Sequence, residues 1–324
     1  MPSGFDPAEF DFIQQPTAHK TANVPLTRIG DLLNEPSPEY HWVVDNLLLR
    51  GGFSLLCGKP KSGKSSLSRC LSLAVARGQP FLGRKTIQGG VILFSLEDHR
   101  YMLKESFQKL GAMGDEELLI HCGSVPGSPI RQLEAAVERH RPALVIVDTV
   151  FRFTKCFDTN SYTQVLEALT PLSDLARDTG IHLLAVHHAG KAERTDSLDS
   201  VLGSVAVHGS MDCTLLLRRT PEYRVIESQQ RYGADLEPTT LNFNPNTGWL
   251  ERGLLVKEVE SERLAQEILD FLSCQDDGIT EQEIAEAVGG KTETKRRALR
   301  NLVEAGQIRR EGRGGRGDAF RYRV

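Results

Sequence analysis

Residues Gly58 to Ser65, Gly-Lys-Pro-Lys-Ser-Gly-Lys-Ser, meet every fixed position of the pattern G-x-x-x-x-G-K-[ST]. Such a loop turns backbone amides and a helix N-terminus toward phosphate oxygens. Gly58, Lys59, Pro60, Lys61, Ser62, Gly63, Lys64, Ser65 and Ser66 would then line a nucleotide's phosphates. Lys64 would reach the β- and γ-phosphates, and the Ser65 hydroxyl would ligate Mg²⁺. The bland alternative is a chance turn of small residues. The flanks argue against it. Phe53 to Cys57 is a short apolar run suited to a buried strand, and Leu67, Leu71, Leu73, Ala74 and Val75 recur at spacings that suit a helix on a sheet.

Three more polar groups follow apolar runs. Val91 to Leu96 ends in Glu97-Asp98, Ala143 to Val147 ends in Asp148-Thr149, and Ile181 to Val186 ends in His187-His188. In a parallel sheet ligands bind beyond the C-terminal ends of the strands, so these groups and the phosphate loop are expected on one edge. Asp148 resembles a Walker B carboxylate that orients Mg²⁺; the plainer reading is a turn cap. Glu97 is placed to take a proton from an attacking water. Asp98 is its neighbour, and successive strand residues face opposite sides, so only one of the two can face the phosphate; Glu97 is favoured. His188 can donate to a γ-phosphate and swing when it leaves.

Those strands need positioning elements. Helical spacing is expected over 99–110, 130–140 and 162–178, with a further strand at Leu118 to Cys122. Alternating apolar strands and helices imply an α/β fold, a mostly parallel sheet covered on both faces. From Met211 to Leu250, short segments between Pro, Gly and Asn turns read as antiparallel strands that extend the sheet. Trp42 either packs under a nucleotide base or joins the core.

The chain has 324 residues, 40% hydrophobic and 25% charged, with a net charge of −4. That composition suits a globular protein, and the length suits two domains or one large domain with an appendage. No apolar run is long enough for a membrane span, and no signal region opens the chain. The six cysteines form no C-x-x-C pair, which fits a cytoplasmic location. Residues 1–40 read as an arm or linker, either a loose tail or a segment that docks on a neighbouring subunit. Residues 41–255 form the nucleotide-binding domain and 256–324 a smaller module.

In that module an apolar stripe (Leu264, Ile268, Leu272) is followed by a capping box at Thr280 and Glu283, a Gly289-Gly290 turn and a third helix. Two strands with a Gly/Arg-rich tip then close the chain, the pattern of a winged helix-turn-helix. Lys295, Arg296, Arg297 and Arg300 are expected outward on the third helix, with Arg313 and Arg316 in the tip. A basic face of that shape suits DNA; the alternative is a protein-contact surface.

The set Gly58–Ser65, Glu97, Val145-Ile146-Val147-Asp148 and Ala185 to Lys191 resembles the RecA/DnaB-type ATPases, and within them the branch of the hexameric plasmid replication helicase RepA and its AAA-labelled bacterial relatives. The resemblance covers about Val43 to Gly253. It implies a RecA-like P-loop core, ATP with Mg²⁺, Glu97 as catalytic base and His188 as the γ-phosphate sensor. It further implies a homo-oligomer on the hexamer pattern and single-stranded or duplex DNA as partner, acted on as by a helicase or DNA-dependent ATPase. An ATP-controlled DNA-binding regulator or loader is the other reading. The family's DNA-facing loop falls on 190–209, with Lys191 and Arg194, although Glu193, Asp196 and Asp199 make it only weakly basic. The family's trans-acting Lys-x-Arg finger falls on Gln229-Gln230-Arg231, so Arg231 matches while Gln229 replaces the lysine.

Overall fold

The computed structural model describes residues 26–35, 41–159, 161–188, 211–315 and 318–324. The chain divides into two units, Met1–Glu39 and Tyr40–Val324. Of the first, the described part holds a short helix, α1 (Ile29–Asn34).

The second unit is built on a nine-stranded sheet. A small hairpin, β1 (Trp42–Val44) with β2 (Leu48–Leu49), leads into β3 (Phe53–Gly58). The phosphate loop follows, then helix α2 (Lys64–Arg77). Next come β4 (Val91–Ser95), α3 (Arg100–Lys109), β5 (Leu118–Cys122), α4 (Pro129–His140) and β6 (Leu144–Asp148). A short helix that periodicity did not signal, α5 (Val150–Thr154), precedes α6 (Tyr162–Thr179) and β7 (His182–His188). The strands β8 (Cys213–Arg219), β9 (Arg224–Gln230), β10 (Thr239–Phe243) and β11 (Leu250–Leu255) complete the sheet.

The strand order is β11-β10-β9-β8-β3-β7-β6-β4-β5. From β8 to β5 every pairing is parallel, and β9, β10 and β11 add on antiparallel. Strands β3, β4 and β6 are buried along their whole length, as two covered faces require. On one face Leu67, Leu71 and Ala74 of α2 pack with Leu103 and Phe107 of α3; on the other Leu133 and Val137 of α4 pack with Val165, Leu169 and Leu172 of α6. The parallel register puts Gly58 opposite His188, Val186 opposite Asp148, and Asp148 opposite Ser95. The ends of β3, β7, β6 and β4 therefore lie side by side.

Beyond β11 the chain forms α7 (Val256–Ser273), β12 (Ile279–Thr280), α8 (Glu281–Ala287), α9 (Thr292–Glu304), β13 (Arg309–Glu311) and β14 (Arg321–Arg323). These three strands form a separate sheet with β14 in the middle. A core of its own joins Leu264, Ile268 and Leu272 of α7 to Ile284, Leu299, Leu302 and Tyr322. Thr280 caps α8 reciprocally with Glu283.

One buried group ties stability to pH. His182 opens β7 fully buried, with Nδ1 2.6 Å from the Leu49 carbonyl. Burial pushes its imidazole down to about 4 from 6.5, against the opposing pull of the Leu49 carbonyl. The unfolded chain thus binds this proton more readily than the folded one. The contribution is complete above pH 6.5 and is lost as pH falls toward 4, by about 3 kcal/mol. Urea unfolding midpoints should fall over that window, and His182→Gln should flatten the slope.

Candidate active site

The phosphate loop runs from the end of β3 to the first turn of α2. Gly58 is obligatory there, because a Cβ on it would lie 2.2 Å from the Leu217 carbonyl oxygen of β8. Gly63 caps α2 at φ +111°, a conformation that side chains rarely allow. Lys59, Pro60 and Lys61 stand exposed on the rim, while Ser62 and Lys64 are buried and Ser65 and Ser66 are half-buried. The Lys64 ammonium donates to the carbonyls of Gly58 (2.8 Å) and Lys59 (3.0 Å). Burial lowers its pKa, with Asp148 first among the groups that pull it back up. The Ser62 hydroxyl is buried without a hydrogen-bond partner among the described residues. An orphaned donor inside a loop of converging amides is the pattern a bound anion satisfies.

Asp148 ends β6, 7% exposed. Burial raises its pKa, a hydrogen bond from Ser65 opposes that rise, and Asp98 and Glu97 add to it. A hydroxyl beside a buried carboxylate is a hard oxygen donor set of the kind Mg²⁺ takes, so the pair fits the ion. Just past β4, Glu97 Oε2 lies 3.3 Å from His188 Nε2, and Glu97 Oε1 accepts the Thr149 hydroxyl at 3.3 Å. Asp98 faces α2 instead: its Oδ2 takes Arg69 Nη2 at 2.6 Å and the Ser95 hydroxyl at 2.8 Å. Beside His188, the His187 ring meets Phe151 edge-on at 4.8 Å. Burial, then His188, then Lys64 hold its pKa down to about 4, so His187 is neutral near pH 7.

The structure thus brings together Gly58 to Ser66, Glu97, Asp148 and His188. Thr149 had no sequence signal, and neither had Arg224, whose Nε donates to the Ser62 carbonyl at 3.1 Å. Arg231 lies elsewhere. It follows β9 beside Asp212, at the edge of the sheet where β3 begins, with Nη1 3.7 Å from Asp212 Oδ1. Trp42 is on that side too, its ring against Gly233, so it does not pack beneath a base held at the loop.

Two expectations for the C-terminal module are corrected. Lys295 does not face outward: it is 6% exposed, and its ammonium donates to the Ala285 carbonyl at 2.7 Å. Its spacing from Ala298, Leu299 and Leu302 puts it on the inner stripe of α9, where the alkyl stem packs and the charge meets the C-terminal end of α8. Arg297 is half-buried, with Nη2 3.4 Å from the Lys257 carbonyl of α7. Arg296 is exposed but ion-paired with Glu281 at 2.5 Å. Arg300 and Arg313 are exposed. Lys191, Arg194 and Arg316 lie outside the described residues.

A parallel sheet whose first long strand feeds a glycine-rich loop and a helix, with an acidic residue ending a neighbouring buried strand, defines a P-loop NTPase core. The family model described as an AAA domain matches residues 18–194, more than half of the chain, and the chain belongs to that family of nucleotide-hydrolysing P-loop ATPases. No curated protein matches it. No helix among the described residues is long and apolar enough to cross a membrane.

Proposed function

We propose that the chain is an oligomeric, Mg²⁺-dependent ATPase of the RecA/DnaB type, in the RepA-like branch, that acts on DNA. The contact between Glu97 and His188, 3.3 Å apart at the ends of the two strands that flank β6, carries this reading. A base that activates water and a group that senses the γ-phosphate must share the side of the loop where the γ-phosphate lies, and these two touch there. Ser65 and Asp148 would hold Mg²⁺, which supplies charge neutralisation at the phosphates. Lys64 turns from the loop carbonyls to the β- and γ-phosphates. Glu97 orients the attacking water and takes its proton. His188, bonded to Glu97, links the presence of the γ-phosphate to the chain that follows β7, the segment assigned to DNA by the resemblance. Lys64→Ala should abolish hydrolysis, read as phosphate release.

In the module after β11, the order of helix, strand, two helices and two strands supports a winged helix-turn-helix. With Lys295 inside and Arg296 and Arg297 engaged, exposed cations remain at Lys291 and Arg300 by α9 and at Arg309, Arg310 and Arg313 around β13 and the tip. DNA would be held there through phosphates. Arg309→Ser with Arg313→Ser should weaken duplex binding across sequences, reduce the salt slope by about 2, and leave ATPase without DNA at the wild-type rate. Unchanged DNA affinity would favour a protein-contact role.

The thinner basic face on α9 favours a second reading, an ATP-controlled DNA-binding regulator or loader that does not unwind. ATPase stimulation by single-stranded DNA, measured beside strand displacement on a forked duplex, separates the two. Stimulation with displacement supports a helicase; stimulation without it supports the regulator; no stimulation by any DNA removes both.

A further inference from the structure

Arg224 is the first residue of β9 and lies opposite Arg219, the last of β8. The turn between them is closed by hydrogen bonds from the Thr220 amide and hydroxyl to the Tyr223 carbonyl, both at 2.8 Å, and from the Tyr223 amide to the Thr220 hydroxyl at 3.0 Å. That fixes the backbone from which Arg224 projects. Its Nε donates to the Ser62 carbonyl at 3.1 Å and lies 3.2 Å from where a Cβ on Gly63 would stand. The guanidinium carbon sits 5.6 Å from the centroid of the Phe243 ring. Burial and the nearby Arg219 both lower the Arg224 pKa; a guanidinium stays charged through such a shift.

The peptide joining Ser62 to Gly63 is planar and trans, so its carbonyl and its N–H point in opposite directions. A donor fixed on the carbonyl therefore also fixes the heading of the Gly63 N–H. Glycine at φ +111° has no side chain to restrict that peptide, and a residue from a different strand must do so instead. The bond is charge-assisted, which makes it stronger than a neutral one.

We propose that Arg224 is a positioning residue for the phosphate loop: it clamps the Ser62–Gly63 peptide with its N–H turned into the loop and so sets the affinity for nucleotide. This rests on the reading of Gly58–Ser65 as the nucleotide site. The clamped peptide belongs to the part of the loop shared by di- and triphosphates, so Arg224 acts on ADP and ATP equally and leaves the chemical step alone.

Dissociation constants for MgADP and for a non-hydrolysable MgATP analogue, with kcat at saturating ATP, test this in Arg224→Met, Arg224→Lys and Phe243→Leu full-length proteins. Arg224→Met should weaken both nucleotides by about tenfold, with kcat within about twofold of wild type. Phe243→Leu should bind like wild type, and Arg224→Lys should recover less than half of the lost affinity, because the charge returns without the Nε donor. Should Arg224→Met fail to fold, judged by its thermal midpoint without nucleotide, Arg224→Gln takes its place. Unchanged affinity, a loss confined to the ATP analogue, a fall in kcat at unchanged affinity, full recovery by lysine, or an equal loss in Phe243→Leu would each overturn the clamp. If wild-type protein binds neither nucleotide, the site reading itself fails; if it binds both and the Arg224 variants match it, only the clamp fails.

Discussion

Glu97→Gln should hold ATP and fail to cleave it. The amide keeps the size of the carboxylate, can still accept the Thr149 hydroxyl and can still meet His188, so the geometry at the end of β4 survives. What is lost is the capacity to take a proton from water. General-base catalysis by a positioned side chain contributes about 10²–10⁴-fold, and the rate should drop by that order while nucleotide affinity persists, since Lys64, Ser65 and Asp148 are untouched. Equilibrium binding beside single-turnover hydrolysis separates the two effects. The matching control is Asp98→Asn. Asp98 is occupied by Arg69 at 2.6 Å and by Ser95 at 2.8 Å, so its loss should loosen the packing of α2 against β4 and leave the chemical step in place. Rapid turnover by Glu97→Gln would move the base elsewhere, and a collapse of turnover in Asp98→Asn would name the place.

Glu97 was legible in the sequence, and the reason is physical. A strand buried on both faces must be largely apolar, so the first carboxylate after Val91 to Leu96 marks the strand's end, and strand ends of a parallel sheet carry function. The same logic reaches Asp148 and His188, and the loop is legible because Gly58 and Gly63 stand where backbone geometry admits little else. Arg224 could not be found that way. It lies 162 residues from Ser62 in sequence, and only the antiparallel register of β9 on β8 carries it over the loop. Thr149 was hidden for a similar reason, since its partner Glu97 follows a different strand. Lys295 was misread because its charge was weighed before its spacing: at i, i+3 and i+4 from Ala298 and Leu299 it shares the buried stripe of α9, where a carbonyl at the end of α8 satisfies it. Charge signals the surface only when periodicity agrees.

Periodicity and register also frame the expectation for Arg231. On the reading proposed above, Arg231→Ala should lower hydrolysis by about 10³-fold, the scale on which an arginine finger acts, yet leave the affinity of an isolated chain for nucleotide unchanged. The residue is at the edge where β3 begins, while the loop is at the edge where β3 ends. Within one chain it stands at the opposite edge from its own loop; as a finger it would serve a neighbour's. Its present partner is Asp212 at 3.7 Å, and Asp212 Oδ2 also accepts the Phe53 amide at 3.0 Å, the first residue of β3. The arginine is about half exposed, so the ion pair is weak and leaves the side chain available to another subunit. Mixing decides the matter. Arg231→Ala retains an intact loop and base but offers no finger; Lys64→Ala has a dead loop but a sound finger. Each alone should be inactive, and an equimolar mixture should regain a substantial fraction of wild-type hydrolysis, because some interfaces then pair a working loop with a working arginine. The recovered rate should rise with protein concentration as subunits associate. A mixture as inactive as its components would remove Arg231 from catalysis, and an Arg231→Ala protein that hydrolyses at the wild-type rate would do so without any mixing.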